Sequence, residues 1–143
     1  MTKTTQSLLN AVLKNAEMGL SSAHKLLEIV DDDAIAQHIR REITAFEDVS
    51  HRARAMLSAS GCEPHPGGMM TKLSAKMGIL MQTVNDHSAR KAAEMLIEGN
   101  TIGVTELTEV IRDSHGADAA SLALAQRLRD AEREYAAELT SFL

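Results

Sequence analysis

Apolar residues recur at steps of three and four along most of the chain, the spacing of one face of an α-helix. The spacing predicts a first helix over residues 5–30 and a second that starts at the acidic run 31–33 and ends near Gly61. A third helix is predicted over residues 87–114 and a fourth over residues 118–142. The predicted buried face of the second helix consists of Ile35, Ile39, Ile43, Phe46, Ser50, Ala53 and Leu57.

Polar residues and glycines mark the ends of these helices. The three consecutive acids at 31–33 suit a helix start, because carboxylates accept hydrogen bonds from free N–H groups and favour the positive end of the dipole. The same run could bind a divalent cation, but a new periodic segment begins directly after it, which favours capping. The starts and stops predicted for the later helices are Asn85, Asp86, Gly116, Asp118 and Ser121.

A connection separates the second and third long helices. Residues 61–68 hold both prolines of the chain and three of its eight glycines, which predicts a loop. Cys62 and His65 in this loop have a spacing seen in metal loops, but a zinc site needs about four ligands and no second pair occurs. A short helix is predicted over residues 69–84, where a methionine stripe is more typical of adaptable core packing than of a copper or substrate site.

Residues 69–114 cannot form one continuous helix of a bundle. Such a helix would be about 70 Å long at 1.5 Å per residue, whereas the first helix would be about 40 Å long. A break near residues 85–86 leaves four long helices, and no strand pattern occurs in the sequence. The sequence therefore predicts an all-α fold: a four-helix bundle in a single domain over residues 1–143, with a short extra helix between long helices two and three.

Composition excludes several classes of protein. With 15 Lys and Arg against 20 Asp and Glu, the net charge of -5 provides no general attraction to nucleic acid or to an anionic membrane. The three aromatic residues, Phe46, Tyr135 and Phe142, are too few for base stacking. No apolar run approaches the roughly 20 residues that span a bilayer, and the N-terminus lacks a signal-peptide pattern. Because Cys62 is the single cysteine, we expect a cytoplasmic protein without disulfides.

Three stretches carry a resemblance to a known group of proteins. They are NAEMG at residues 15–19, AEMLIEG at residues 93–99, and residues 125–143, which include Glu132. On these stretches the chain resembles a group of small, largely uncharacterised bacterial ferritin-like four-helix proteins. The resemblance implies a ferritin-like bundle in which a long connection makes the second and third helices parallel. It implies no particular activity.

Carboxylates in the middle of the helices are the candidate metal ligands. A ferritin-like di-metal centre takes carboxylates from all four helices and a Glu-x-x-His pair from each of two. No Glu-x-x-His occurs here, and the nearest matches join Asp48 or Glu47 to His51. A looser site for iron, manganese or zinc is predicted from Glu17, Glu47, His51, Glu94 and Glu132. Each of these residues is alternatively a solvated charge, and the resemblance points to Glu94 and Glu132.

Two glycines lie four residues apart in the third helix. Gly99 and Gly103 each cost about 1 kcal/mol relative to alanine, so a compensating feature is expected. Their shared face predicts the close approach of another helix, with Gly19 as the complementary flat surface. A local bulge of the kind found at functional sites is the alternative.

Other chemistries find less support in the sequence. Cys62 with His65 lacks a third group that would orient a catalytic base. No glycine-rich phosphate loop follows a strand, because no strand is predicted. The charges of the second helix predict a solvated face of ion pairs, formed by Arg40, Arg41, Arg52 and Arg54 with Glu42, Glu47 and Asp48.

Two functions of different classes remain open. The first is a metal-binding bundle, which the resemblance favours. The second is a non-catalytic bundle that acts by self-association, as a homo-oligomer such as a dimer, or by binding a partner helix. Its contact surface would be the methionine-rich segment 69–84 or the face of Gly99 and Gly103. The missing Glu-x-x-His favours the second. No nucleic acid or membrane partner is expected.

Overall fold

Four long helices make up the described part of this computed structural model, which comprises residues 1–65 and 85–143. They are α1 (Lys3–Ile29), α2 (Asp33–Ala59), α3 (Ala89–Asp113) and α4 (Ala119–Leu139), and a 3-10 turn at Thr140–Phe142 follows α4. Within these two stretches there is no strand, and no helix has the length and apolarity needed to cross a bilayer. The short helix predicted over 69–84, with its methionine stripe, lies outside the described residues.

Hydrogen bonds between the helix ends establish the relative directions of the helices. The backbone N–H of Asp31, between α1 and α2, donates to the carbonyl of His87, just before α3, at 3.4 Å. At the opposite end, the N–H of Asp118, between α3 and α4, donates to Oγ1 of Thr5 near the start of α1, at 3.1 Å. Helices α2 and α3 therefore begin at the same end and run parallel, as the resemblance implied.

The helix ends follow the predicted signals with one shift. Asp32 caps α2 and Asp118 caps α4, each accepting a hydrogen bond from the backbone N–H three residues further on, at 3.0 and 2.7 Å. The capping interpretation of the acidic run is thus confirmed. The cap of α3 is Ser88, slightly later than predicted, and accepts at 3.2 Å. The predicted stops Gly61 and Gly116 have φ angles of 74° and 88°, the left-handed region that glycine adopts readily.

The apolar core consists of two clusters, one towards each end of the bundle. The cluster that we call the lower core includes Leu9, Leu13, Phe46, Leu57, Leu107 and Leu128. The other, the upper core, includes Leu26, Ile35, Ile39, Ala93, Leu96 and Leu139. All seven positions of α2 that were predicted to be buried are buried. The space between the two cores is where the candidate site lies.

Candidate functional site in the middle of the bundle

Each of the four helices buries a polar side chain near the junction of the two cores. These side chains, which we call the polar layer, are Asn15 of α1, Glu42 of α2, Asn100 of α3 and Glu132 of α4. Asn100 and Glu132 lie between the residues that their helices contribute to the upper and lower cores. Asn15 joins the layer by donating from Nδ2 to the carbonyl of Gly103, at 3.3 Å.

Glu42 is buried to 1 % exposure and has a partner on each carboxylate oxygen. Its Oε1 accepts a hydrogen bond from Nδ2 of Asn100 at 3.1 Å, and its Oε2 lies 2.6 Å from Nε2 of His38, one turn earlier. The other ring nitrogen of His38 lies 3.3 Å from a guanidinium nitrogen of Arg41 and 3.6 Å from a carboxylate oxygen of Glu138. His38 thereby fixes the orientation of Glu42 and links it to charged groups at the surface.

Glu132 is buried to 2 % exposure but lacks the partners that Glu42 has. Its Oε2 has no hydrogen-bond partner among the described residues. Burial, first, and then the negative charges of Glu42 and Glu106 together raise the pKa of Glu132 to about 9. The carboxyl group of Glu132 is therefore neutral at pH 7 unless a cation binds beside it.

Gly103 is the position on α3 that makes room for Glu132. A Cβ at Gly103 would overlap Oε2 of Glu132 and would lie 2.7 Å from its Cδ. Gly19 on α1 lies against the ring of Phe46, where a Cβ would be 2.7 Å from the nearest ring carbon. Gly103 and Gly19 thus each accommodate a side chain of another helix. The predicted pairing of Gly19 with Gly103 as two flat helix surfaces is therefore wrong.

A cavity of about 140 Å³ lies beside the polar layer, between α1 and α3. All four polar-layer residues contribute to its lining. Its apolar lining comes chiefly from Met18, Leu26, Phe46, Met95, Leu96 and Ile102. Exposed lining residues, among them Lys25 and Glu106, mark its opening to solvent. The two buried carboxyl groups of the polar layer, Glu42 and Glu132, thus belong to the lining of a cavity that opens to solvent.

Of the five predicted metal ligands, only Glu132 lies in the interior. The residues Glu47, His51 and Glu94 are exposed. Glu17 is partly exposed and forms an ion pair with Arg54. In the stretches 1–65 and 85–143, no three His, Cys, Asp or Glu side chains are close enough together to hold a metal ion. The five predicted ligands thus do not gather into one group, and neither Cys62 nor His65 belongs to such a group.

Sequence reasoning missed Glu42 and His38. The assignment of Glu42 to a solvated ion-pair face is wrong, because its side chain points into the bundle. A signal for both residues was present. His38 and Glu42 fall on the same helical face as Ile35, Ile39 and Phe46, at steps of three and four. A polar residue that falls on the apolar face of a helix is a candidate buried polar group. His38 and Glu42 were missed because only apolar residues were used to define that face.

Comparisons with known proteins support the fold. No protein-family model and no curated protein matches the sequence. A conserved hypothetical protein, rv2844, from Mycobacterium tuberculosis is 14 % identical with a TM-score of 0.73, over 100 % of this chain and 99 % of that one. The bacterioferritin-related protein from Bacteroides fragilis, a dodecameric thioferritin, is 11 % identical with a TM-score of 0.74, over 98 % and 84 %. The chain has a ferritin-like fold.

The predicted ferritin-like four-helix bundle is therefore confirmed, and at these identities the likeness concerns the fold alone. The polar layer of this bundle differs from a di-metal centre of the ferritin-like type. Such a centre takes carboxylates from all four helices, two of them within Glu-x-x-His pairs. Here α1 and α3 contribute the carboxamides Asn15 and Asn100, and α4 has no histidine. The layer does not fit a di-metal centre. Two carboxyl groups, one with an unpaired oxygen, suit one proton or one cation.

Proposed function

We propose that this ferritin-like bundle binds one divalent metal ion, iron, manganese or zinc, through Glu132 and Glu42. The observation that carries the proposal is Oε2 of Glu132, a buried oxygen without a partner in the described residues. A buried polar group left unpaired costs about 1–3 kcal/mol, and more if it is charged. A cation between the two carboxyl groups removes that cost. No catalysed reaction is proposed.

The ligand set is built mainly from hard oxygen donors. Glu132 and Glu42 would supply carboxylate oxygens, and Asn15 and Asn100 add neutral carboxamide oxygens to the layer. His38 would act on the site by holding Glu42 in place through its 2.6 Å contact. A bound metal ion would supply the positive charge that keeps the Glu132 carboxyl group ionised. Oxygen ligands of this kind suit manganese and ferrous iron, and zinc accepts them in part.

Four of the predicted ligands are not part of the proposed site. Because Glu47, His51 and Glu94 are exposed, the solvated alternative accounts for them. Glu17 already has a guanidinium partner in Arg54. Glu132 is the member of the predicted set that the proposal retains, and Glu42 replaces the others.

We also infer that the protein forms a homo-oligomer, with a dimer as the simplest form. This inference rests on the structurally similar dodecameric protein from Bacteroides fragilis and on the predominance of symmetric oligomers. Gly103 is buried beneath Glu132 and offers no surface to a partner helix. In the described residues, Met1 and Leu143 are the exposed large apolar side chains. An oligomer interface formed by the surface of the described residues would therefore be mainly polar.

Metal content tests the proposed site. Protein from cells grown with added iron and manganese is purified without a His-tag or chelator and examined by elemental analysis, then by equilibrium dialysis against Mn²⁺ or Zn²⁺. We expect about one ion per chain. Glu132→Gln and Glu42→Gln should each lower this value severalfold, whereas the exposed control Glu94→Gln should retain it. Metal content that is negligible after dialysis, or unaffected by Glu132→Gln, would contradict the proposal.

A further inference from the structure

The apolar lining of the central cavity is not accounted for by a metal ion. A hydrated inorganic ion gains no free energy from contact with methionine, leucine and phenylalanine side chains, whereas an alkyl group does. The cavity of about 140 Å³ combines such a lining with the buried, unpartnered Oε2 of Glu132. A ligand that matches both features has an apolar body and a compact group that donates hydrogen bonds at one end.

We propose that this cavity binds a small organic cation, a short-chain primary alkylammonium, with its nitrogen at Glu132 and Glu42 and its alkyl part along Phe46 and Leu96. An ammonium group has three donors and no acceptor, which suits a lining that contains two carboxyl groups. Both acids line the cavity, as do the two apolar residues. The ligand shares its carboxyl groups with the proposed metal site, but it requires no metal, so the two ligands would compete.

The opening of the cavity is compatible with such a ligand. Lys25 and Glu106 lie there with opposite charges, so the entrance has no large net charge that would exclude a cation. Serines 21 and 22 are the other polar groups near the opening, and both are small. An anionic ligand is disfavoured, because it would lie beside two buried carboxyl groups with no buried cationic side chain of the lining to compensate.

Alkylamines and their matched alcohols distinguish this proposal from simple filling of a cavity. Metal-free protein, prepared with a chelator that is then removed, is titrated with ethylamine, propylamine and butylamine and with the corresponding alcohols, at one pH, by NMR and calorimetry. We expect each amine to bind about tenfold or more tightly than its alcohol, because its hydrogen bonds are charge-assisted. Each added methylene should tighten binding about fourfold until the cavity is full.

The location of binding is tested in the wild-type protein and in variants. On addition of butylamine, we expect the backbone amide signals of Gly103 and Phe46 to shift. The signals around exposed Glu94 should not shift. Glu132→Gln should reduce butylamine affinity to that of butanol, and Glu94→Gln should leave it unchanged. Equal affinity for amine and alcohol, or amide shifts confined to the surface, would overturn the proposal. Because no metal is present, failure of the proposed metal site leaves this result unaffected.

Discussion

Glu132 has a carboxyl group in surroundings that favour its neutral form. Its pKa is raised from 4.5 to about 9, first by burial and then by Glu42 and Glu106. The other charged group at the cavity, Lys25 of α1, lies at the opening. The folded protein therefore keeps a proton that the unfolded chain loses above about pH 4.5. The stability that this difference supplies is complete below that pH and is lost as the pH rises towards 9.

Replacing Glu132 by glutamine tests this linkage. Because glutamine does not titrate, we predict that metal-free Glu132→Gln has a flatter dependence of unfolding free energy on pH than the wild type. Between pH 5 and pH 9, the unfolding free energy of the wild type should fall by up to about 1.4 kcal/mol per pH unit more than that of Glu132→Gln. Urea unfolding at a series of pH values measures the difference. Parallel curves for the two proteins would show that Glu132 titrates normally in the folded state.

Gly103 provides a second test at the scale of one residue. Glycine-to-alanine in a helix interior ordinarily stabilises by about 1 kcal/mol, but here the new methyl group would overlap the Glu132 carboxyl. We predict that Gly103→Ala destabilises the protein by about 1–3 kcal/mol, the usual cost of overpacking. In the background of Glu132→Ala, where the carboxyl is absent, the same change should be neutral or stabilising. A double-mutant cycle followed by denaturant unfolding measures the coupling, and additive effects would contradict the close approach.

At the scale of helices, the acidic run before α2 offers both a capping residue to substitute and an exposed neighbour that serves as the control. The side chain of Asp32 accepts a hydrogen bond from the N–H of Ile35, whereas Asp31 and Asp33 are exposed neighbours. We predict that Asp32→Ala lowers the unfolding free energy by about 1 kcal/mol. Asp31→Ala should change it by less than about 0.5 kcal/mol, as surface substitutions do. Thermal or urea unfolding compares the two, and equal effects would mean that the run acts through its total charge.

The helices differ in how far their burial was predictable. In α2 the buried stripe is mostly branched or aromatic, so its periodicity was clear. In α3 the first fifteen residues include three alanines and two glycines, and the apolar spacing did not identify Ala93 and Leu96, which are buried. Small residues fit several faces of a helix equally well, so their burial is decided by the helices that pack against them.

The polar layer was less predictable than the helices, for a physical reason. Glu132 was found because it lies on a predicted helix and within the resemblance. Asn100 is buried beside Glu42, a residue 58 positions away along the chain, and Asn15 is bonded to a carbonyl 88 positions away. Such pairs form only when the helices pack together, so the spacing within one helix does not reveal them. Glu94 was predicted as a ligand but is exposed. Its position next to an apolar helix face in the sequence did not show whether its side chain is buried.

At the scale of the whole molecule, the fold is ferritin-like, but the buried polar residues differ from those of a di-metal centre. The four helices and their parallel middle pair follow the ferritin-like arrangement, and two solved structures share it at 14 % and 11 % identity. The interior, however, holds carboxylates from two helices and carboxamides from the other two. The same backbone thus supports a site with fewer charges, which is expected because a fold permits many different sites.

The oligomeric state is the prediction that belongs to the molecule as a whole. We expect a mass of twice the chain mass in size-exclusion chromatography with multi-angle light scattering. Because the described surface has few large exposed apolar side chains, a dimer formed there should weaken at high salt if ion pairs contribute. A single species at the chain mass over a wide range of protein concentration would rule out self-association under those conditions.

The central claim is that a cation binds between Glu132 and Glu42. The most direct measurement is an anomalous difference map from crystals of the protein loaded with Mn²⁺. We predict a single strong peak in the polar layer, at coordinating distance from a carboxylate oxygen of each residue. A map without a peak in the polar layer, or with manganese only at surface carboxylates such as Glu94 and Glu47, would contradict it.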